Sequence, residues 1–422
     1  MPIVYSRSDA ASMPGLPALA DRQSPLLPST PVGRQVQWLC EVSHRAPISD
    51  AELRAHTSLP SVSTPPGLRV ESFRAQPRQA ERRAYAVLRD ADGDRHHLML
   101  ETDAAGRIRA LRFTPIPRSW AELGDTVRGL APRASFLASE IDRDGQIRPV
   151  YGVAPTTPRP IGSAMALYVL GALAHAAGQG RLRWDEPLAV RDAWKTDLTS
   201  SVGSVPDGTM LALRRYADDA IFSGDASAID HLLGRLGRGA VEAQQVRFGH
   251  AQIGANLPFL TARETTQLKT HPHVGEEYLA TDGPRERLGY LRDVVAHLPR
   301  PTGFPDEPRF TDSVEWFASP ADVCRAFAGL VRQATTQPAV GAVLGQQGTA
   351  SLGLDVGRWP VGWSKGGAEP GVVTENFLAG TPSGRTFAVS LMVTDPDRPL
   401  DVDATRAVLR ACAAGAFTLL LG

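Results

Sequence analysis

The stretch RPIGSAMALYVLGALAHAAGQGRLRWDEPLAV, residues 159–190, decides the fold prediction. It is typical of a strand-to-helix turn that presents a serine, Ser163, at the start of a buried helix. A serine at a helix start is commonly an N-cap, whereas a nucleophilic serine needs a base within reach of its hydroxyl. The stretch therefore raises the question of which group would activate Ser163.

Length and charge narrow the function classes. A chain of 422 residues predicts two domains, and 42% hydrophobic with 21% charged residues is a globular composition. Lys plus Arg and Asp plus Glu both number 45, so the formal net charge is zero. Without a basic field to concentrate nucleic acid or anionic membrane, we expect a small-molecule partner and neither of those two.

The cysteines and the N-terminus predict the compartment. Cys40, Cys324 and Cys412 are odd in number and lie far apart, which indicates reduced core thiols and no metal or redox pair. We therefore expect no metal and no cofactor. The first 31 residues show no charged region followed by an apolar run, and no apolar stretch reaches the roughly 20 residues that span a bilayer. These features predict a cytoplasmic protein.

The first part of the chain predicts an arm and a small domain. Residues 1–30 are rich in Pro, Ser and Ala without periodicity, which predicts a flexible arm. Residues 31–117 predict a small α+β domain: helical spacing begins at Val32, and a second helix starts at Ser49 with Glu52 completing a reciprocal capping box. Four extended segments follow, the last three joined by hairpin turns.

The remainder, residues 118–422, predicts a sheet that is split across the sequence. After a helix that Ser119 caps, two strands are joined by the hairpin signal RDGQ. The Ser163 helix and a long helical region follow, to about residue 335. Three strand-like runs and a last helix from Asp403 end the chain. Strands at both ends with an all-α insertion between them indicate one sheet assembled from distant segments.

Four segments carry a family resemblance: IGSAMALYVLGALA, SGDASAIDHLLGRLG, NLPFLTARE and SKGGAEPG. In this order they resemble the serine β-lactamase and penicillin-binding-protein superfamily, and within it the two-domain β-lactamase-like hydrolases of actinomycetes, one of which is associated with clavulanic acid biosynthesis. The resemblance implies a three-layer α/β (α+β) domain over residues 118–422. More weakly, it implies a steroid-isomerase-like fold for the small domain.

The superfamily brings three motifs to one cleft, S-x-x-K, S-D-N and K-T-G. By resemblance, Ser163 takes the nucleophile position and Lys365 the position of the third-motif lysine, which binds a substrate carboxylate. Gly366 and Gly367 would let substrate approach the strand closely. The N–H groups of Ser163 and Ala368 would form the oxyanion hole.

Three motif positions lack the usual polar group. The lysine one turn after the nucleophile is Ala166, the second-motif serine is Gly224, and Ala368 falls where close relatives often carry serine. Ser223 would replace the missing serine only after a local shift. Asp225 fits a helix cap or ion pair as well as a functional role. In the NLPFLTARE segment, Arg263 and Glu264 are expected to form a structural ion pair.

These observations leave alternative functions open. The first is a hydrolase that acts through an acyl-Ser163 intermediate on a small ester, amide or β-lactam-like metabolite, with Lys365 or a water as a poor base and weakened turnover. The second is a catalytically silent protein that binds a metabolite or a partner protein in the same cleft. A third places chemistry in the small domain, and no motif supports it.

Overall fold

The computed structural model describes residues 2–4, 26–45, 47–77 and 79–422. Residues 1 and 5–25 of the predicted arm lie outside the described residues. The first strand, β1, is formed within the arm region, by Pro2–Val4, and pairs antiparallel with the strand at Ile147–Val153.

The small domain contains a helix packed on a four-stranded meander. Apolar side chains of the helix meet Leu88, Leu98 and Leu100 on one face of the sheet, and together they form a separate core. The other face packs on the second domain, where His97 Nε2 lies 2.8 Å from the carbonyl oxygen of Ser351. The elements are α1 (Pro31–Ser43), α2 (Asp50–His56), β2 (Arg69–Ala75), β3 (Arg83–Arg89), β4 (Arg95–Thr102) and β5 (Ile108–Pro115).

The predicted capping box at Ser49 forms only in part. Ser49 accepts from the backbone N–H of Glu52, 3.2 Å away, as expected. The carboxylate of Glu52, however, accepts from the indole of Trp38 and pairs with Arg45 instead of returning to the cap residue. The reciprocal half of that prediction is therefore wrong, because two nearby donors compete for the carboxylate.

The second domain begins with a helix and a hairpin and continues through the helical insertion. Its elements in chain order are α3 (Trp120–Arg128), β6 (Arg133–Ile141), β7 (Ile147–Val153), β8 (Arg159–Pro160), a 3₁₀ turn (Gly162–Met165), α4 (Ala166–Gly178), β9 (Pro187–Ala189), β10 (Met210–Ala212), α5 (Leu213–Phe222), α6 (Ala226–Leu236), α7 (Arg238–Arg247), α8 (Ala262–Thr270), α9 (Pro272–Leu279), α10 (Gly283–Asp293), β11 (Phe317–Ala318), α11 (Pro320–Ala334), α12 (Pro338–Leu344), β12 (Val361–Ser364), β13 (Gly367–Glu369), β14 (Val372–Gly380), β15 (Thr386–Thr394) and α13 (Val402–Leu421).

The split sheet that the sequence predicts is confirmed. Its strands run antiparallel in the order β1-β7-β6-β15-β14-β12, and β13 also pairs with β14. The hairpin β6-β7 precedes the helical insertion, and the strands from β12 to β15 follow it. The small sheet has the order β2-β3-β4-β5.

Helices cover both faces of the large sheet. Along β6, Phe136 and Ala138 point to the layer that contains α3 and α13, whereas Leu137 points to the layer that contains α4 and α11. Because both faces are buried, β14 and β15 are apolar without a clean alternation. The helix α4 is buried nearly all round, so it forms the centre of the helical layer.

The last helix, α13, is long and apolar enough to cross a membrane by length and composition. It lies instead against the sheet, where Phe417 meets the ring of Trp359 edge-on at 5.1 Å between centroids. It also contacts α3 and the small sheet. Packing in the domain core accounts for the apolar sequence of α13.

We predict that Phe417→Ala lowers the free energy of unfolding by about 3–5 kcal/mol, because it removes a fully buried aromatic side chain and leaves a cavity. Leu421→Ala, at a side chain 37% exposed on the same helix, is the matched control and should change stability much less. Urea unfolding of both variants measures the difference. Equal losses would mean that α13 is not a core helix.

Candidate active site

Ser163 lies in the 3₁₀ turn that leads into α4. Its hydroxyl donates to the carbonyl oxygen of Gly366 at 3.2 Å, and Lys365 Nζ lies 3.3 Å from the same hydroxyl oxygen. Neither the turn nor α4 receives a side-chain cap from it. The hydroxyl of Ser163 is therefore directed to the third-motif segment rather than used as a helix cap.

Gly367 allows β13 to lie directly against the turn that carries Ser163. A Cβ on Gly367 would stand 2.1 Å from the carbonyl oxygen of Ile161 and 3.0 Å from the backbone nitrogen of Ser163. Neither group can give way without moving the backbone. Glycine at this position is what brings the strand and the serine together.

The pairing of β13 with β14 directs two backbone groups toward Ser163. In an antiparallel pair, alternate residues point their N–H and C=O groups at the partner strand, and the residues between them point theirs away. The backbone nitrogen of Lys365 donates to the carbonyl oxygen of Asn376, so the polar groups of Gly366 and Ala368 face the free edge. The bond from Ser163 to the Gly366 carbonyl agrees with this direction. The N–H of Ala368 is thus placed beside the turn, in a position suited to an oxyanion hole.

The second-motif segment reaches the site through its glycine. Gly224 has φ +70°, and a Cβ there would stand 2.9 Å from Ser163 Oγ and 3.1 Å from Lys365 Nζ. The hydroxyl of Ser223 donates to the carbonyl oxygen of Asp219 at 2.9 Å, and the residue is exposed. Ser223 therefore does not supply the missing hydroxyl in this conformation.

Asp225 is buried, and its carboxylate accepts hydrogen bonds from two segments of the chain. It caps α6 by accepting from the N–H of Ala228 at 3.0 Å, and it also accepts from Ser200 Oγ and from the N–H of Val202. Of the two roles that the sequence left open, these contacts support the helix cap.

Lys365 is the only amine beside Ser163 in the described chain, because Ala166 occupies the S-x-x-K lysine position and is itself buried. Only 4% of the Lys365 side chain is exposed, and no described carboxylate forms an ion pair with it. Burial and, to a smaller extent, the charge of Arg406 lower its pKa to about 7, while Glu375 opposes the shift. A lysine in this state is neutral in about half of the molecules near pH 7 and can accept a proton.

A second buried lysine lies at the end of β13. Lys269 of α8 contacts the carboxylates of Glu315 and Glu369, and Glu369 directly follows Ala368. Burial raises the pKa of Glu315 well above its usual value, and Glu369 adds to the rise. Burial disfavours the charge on Lys269, but the two carboxylates outweigh this effect and raise its pKa. The cluster joins α8 and the segment before β11 to the strand beside Ser163.

The composition holds a signal that motif comparison does not use. The chain has three lysines and 42 arginines, and each lysine is at most 4% exposed. Lysine carries a compact amine whose pKa shifts readily on burial. In this chain all three lysines are in the interior, and two of them lie around β13. The scarcity of lysine is thus a sequence signal for Lys269, which none of the motifs indicates.

The expected ion pair between Arg263 and Glu264 does not form. Glu264 pairs with Arg238 at 2.9 Å, whereas Arg263 donates to the carbonyl oxygen of Ala193. Neighbours on a helix point in different directions, so adjacent charges in sequence are poor partners. The role of Glu264 is nevertheless structural, since it also accepts from the N–H of Thr261 to complete a capping box.

We predict that Gly224→Ala lowers the free energy of unfolding more than Gly208→Ala does. Both glycines have positive φ, but a Cβ on Gly208 meets open space, so the control carries only the backbone strain of about 1–2 kcal/mol. Crowding of Ser163 and Lys365 should add about 1–3 kcal/mol in Gly224→Ala. Chemical denaturation of the two variants measures the difference, and equal losses would contradict the close approach of Gly224.

Comparison with known proteins identifies the family. The model of the Beta-lactamase enzyme family matches residues 131–415. Similar solved structures include a β-lactamase from Sphaerobacter thermophilus (17% identity, TM-score 0.49), PBP-A (14%, 0.48) and a β-lactamase from Chitinophaga pinensis (15%, 0.49), each aligned over 72% of this chain and 98% of its own. No curated protein matches the chain. The family match covers about two thirds of the sequence, and the chain therefore belongs to the β-lactamase enzyme family.

Proposed function

We propose that this chain is a serine acyl hydrolase in which Ser163 is the nucleophile, Lys365 the general base, and the N–H groups of Ser163 and Ala368 the oxyanion hole. The observation that carries the proposal is the 3.3 Å contact between Lys365 Nζ and Ser163 Oγ, made by a lysine that lacks an ion-pair partner in the described chain. The base that is absent at Ala166 would thereby be supplied by the segment between β12 and β13.

The proposed reaction begins with Lys365 in its neutral form. Its nitrogen takes the proton of Ser163 as the hydroxyl oxygen bonds to the substrate carbonyl carbon. The carbonyl oxygen gains negative charge, which the two N–H groups stabilise. When the tetrahedral intermediate collapses, the bond to the leaving group breaks and Lys365 protonates that group. Water then hydrolyses the acyl-Ser163 ester, which releases the acid and restores the serine.

The state of Lys365 determines how a carboxylate on the substrate would act. The resemblance assigns this lysine to a substrate carboxylate, but only a protonated lysine binds a carboxylate strongly, and only a neutral one acts as a base. From the family resemblance we propose a small ester, amide, or β-lactam- or clavam-like metabolite of secondary metabolism. A carboxylate near Lys365 would favour its binding and slow its acylation. The small domain is proposed to support the site and to carry no chemistry.

A second candidate is a catalytically silent protein that binds a carboxylate-bearing metabolite in the same cleft. Two substitutions favour it: Ala166 removes the usual base and Gly224 the usual hydroxyl. In this case the ligand carboxylate would keep Lys365 protonated.

We predict that a fluorophosphonate probe or a β-lactam forms one adduct on the protein, at a rate that rises from pH 6 to pH 8 as Lys365 loses its proton. The adduct should be absent in Ser163→Ala. In Lys365→Met it should form about 10²- to 10⁴-fold more slowly and without that pH dependence. Intact-protein mass against time measures all three rates.

Ser204→Ala, at an exposed serine, is the control and should react like the unmodified protein. A carboxylate-bearing β-lactam and its methyl ester should differ, the ester acylating faster near pH 7. Saturable binding without an adduct, or an adduct that appears only in Ala166→Lys, would contradict the hydrolase and support the silent binder.

A further inference from the structure

A row of polar residues crosses the large sheet beside the third-motif segment. In the strand register Lys365 lies opposite Asn376 of β14, which in turn lies opposite Ser390 of β15. The next residue in the row is Leu137 of β6, whose side chain belongs to the core on the α4 side of the sheet. The side chains of Lys365 and Asn376 therefore share the face that carries Ser163.

Asn376 binds both backbone polar groups of Lys365. Its carbonyl oxygen accepts from the backbone nitrogen of Lys365 at 3.0 Å, and its Nδ2 donates to the carbonyl oxygen of Lys365 at 2.9 Å. These bonds lie where the edge strand is interrupted, since β12 ends at Ser364 and β13 begins at Gly367. One residue thus fixes the segment from which the lysine side chain reaches Ser163.

The contacts of the Asn376 side chain require an amide. The side chain is fully buried, and its Oδ1 accepts from the hydroxyl of Ser390 at 2.7 Å while its Nδ2 donates to the carbonyl oxygen of Lys365. Among side chains of this shape, asparagine donates and accepts without charge, whereas an ionised aspartate only accepts. The residue opposite Lys365 is therefore held neutral by its own hydrogen bonds.

Asparagine is scarce in this chain, which makes the position distinctive. Only Asn256 and Asn376 occur among the 422 residues, and both are buried. Asn256 also binds two backbone groups of one residue: it donates to the carbonyl oxygen of Phe317 at 2.9 Å and accepts from its nitrogen at 2.7 Å. Asn256 therefore offers a matched control for substitutions of Asn376.

We propose that Asn376 is a positioning residue for the proposed reaction: it fixes the backbone of Lys365 and keeps the place opposite that side chain uncharged, so that the amine meets Ser163 without a counter-ion. The inference rests on the proposed function for the meaning of Lys365 as a base. Asn376 acts through Lys365 and does not itself contact the reacting atoms.

The titratable and charged groups around Lys365 come from three elements. The 3₁₀ turn contributes the hydroxyl of Ser163. The segment between α5 and α6 contributes Asp225, whose carboxylate caps α6 and accepts two further hydrogen bonds. β14 contributes Glu375, but its side chain lies on the α13 face of the sheet, where it binds Arg406 and Arg410. A carboxylate at position 376 would share the face of the amine, which none of these does from within the sheet.

The neutral charge at position 376 is tested by titration. In protein labelled with ¹³C and ¹⁵N at lysine we expect three side-chain signals, assigned by Lys195→Met, Lys269→Met and Lys365→Met. Asn376→Asp puts a carboxylate opposite Lys365, so the midpoint of its signal should rise from near pH 7 by about one to three pH units. Asn256→Asp makes the same chemical change elsewhere and should leave that midpoint unchanged.

The hold on the backbone is tested by hydrogen exchange of the lysine backbone amides in the same labelled protein. Asn376→Ala removes the donor to the carbonyl oxygen of Lys365, so the Lys365 amide should exchange about 10- to 100-fold faster relative to the Lys269 amide. Asn256→Ala should leave the ratio of the two rates unchanged. The adduct on Ser163 should also form more slowly in Asn376→Ala, with the same pH midpoint, because no charge is added.

The two NMR readouts separate this inference from the proposed function, because neither needs acylation and a protein that forms no adduct still shows them. Unchanged signals of Lys195 and Lys269 show that a variant is folded, and if Asn376→Asp does not fold, the exchange ratio in Asn376→Ala decides. A Lys365 midpoint that does not rise in Asn376→Asp, an equal rise in Asn256→Asp, or an unchanged exchange ratio in Asn376→Ala would overturn the inference.

Discussion

The close approach of β13 to the turn before α4 is the constraint on which the site depends. The carbonyl oxygen of Ile161 occupies space that any side chain on Gly367 would need, so the strand and the turn share one backbone interface. This contact orders the free edge of β13 against Ser163 and directs the groups of Gly366 and Ala368 to it. Lys269, held between Glu315 and Glu369, fixes the last residue of the strand. The chemistry of the site is thus set by backbone geometry more than by its few polar side chains.

In the proposed mechanism the base comes from the segment between β12 and β13 and not from the helical turn after Ser163. Burial alone destabilises the charged form of Lys365, which makes the amine a proton acceptor near neutrality but also removes the favourable solvation of a charged lysine.

Much of the architecture follows from local pattern. Hairpin turns and apolar runs indicate β6, β7, β14 and β15, and the family resemblance implies that Ser163 and Lys365 belong to one cleft. What pattern could not provide was the set of pairings. Glu52 and Glu264 each bind a group that is close in space but not adjacent in sequence. Arg238, for example, lies 26 residues before Glu264, whose carboxylate it binds. The Ser223 hydroxyl points back to the last turn of α5, and Gly224 approaches the site because its backbone has a positive φ. The sequence alone reveals neither feature.

The scarcity of lysine has a consequence for the whole molecular surface. Guanidinium groups remain protonated at any pH at which a protein of this kind stays folded, whereas amines lose their charge from about pH 9 upward. With every lysine in the interior, the positive side-chain charge of the surface above neutral pH is carried by arginine and does not fall as the pH rises. Amine-directed crosslinkers and acetylating enzymes would find no lysine side chain to modify on the folded chain, so the interior amines remain in the state that their surroundings dictate.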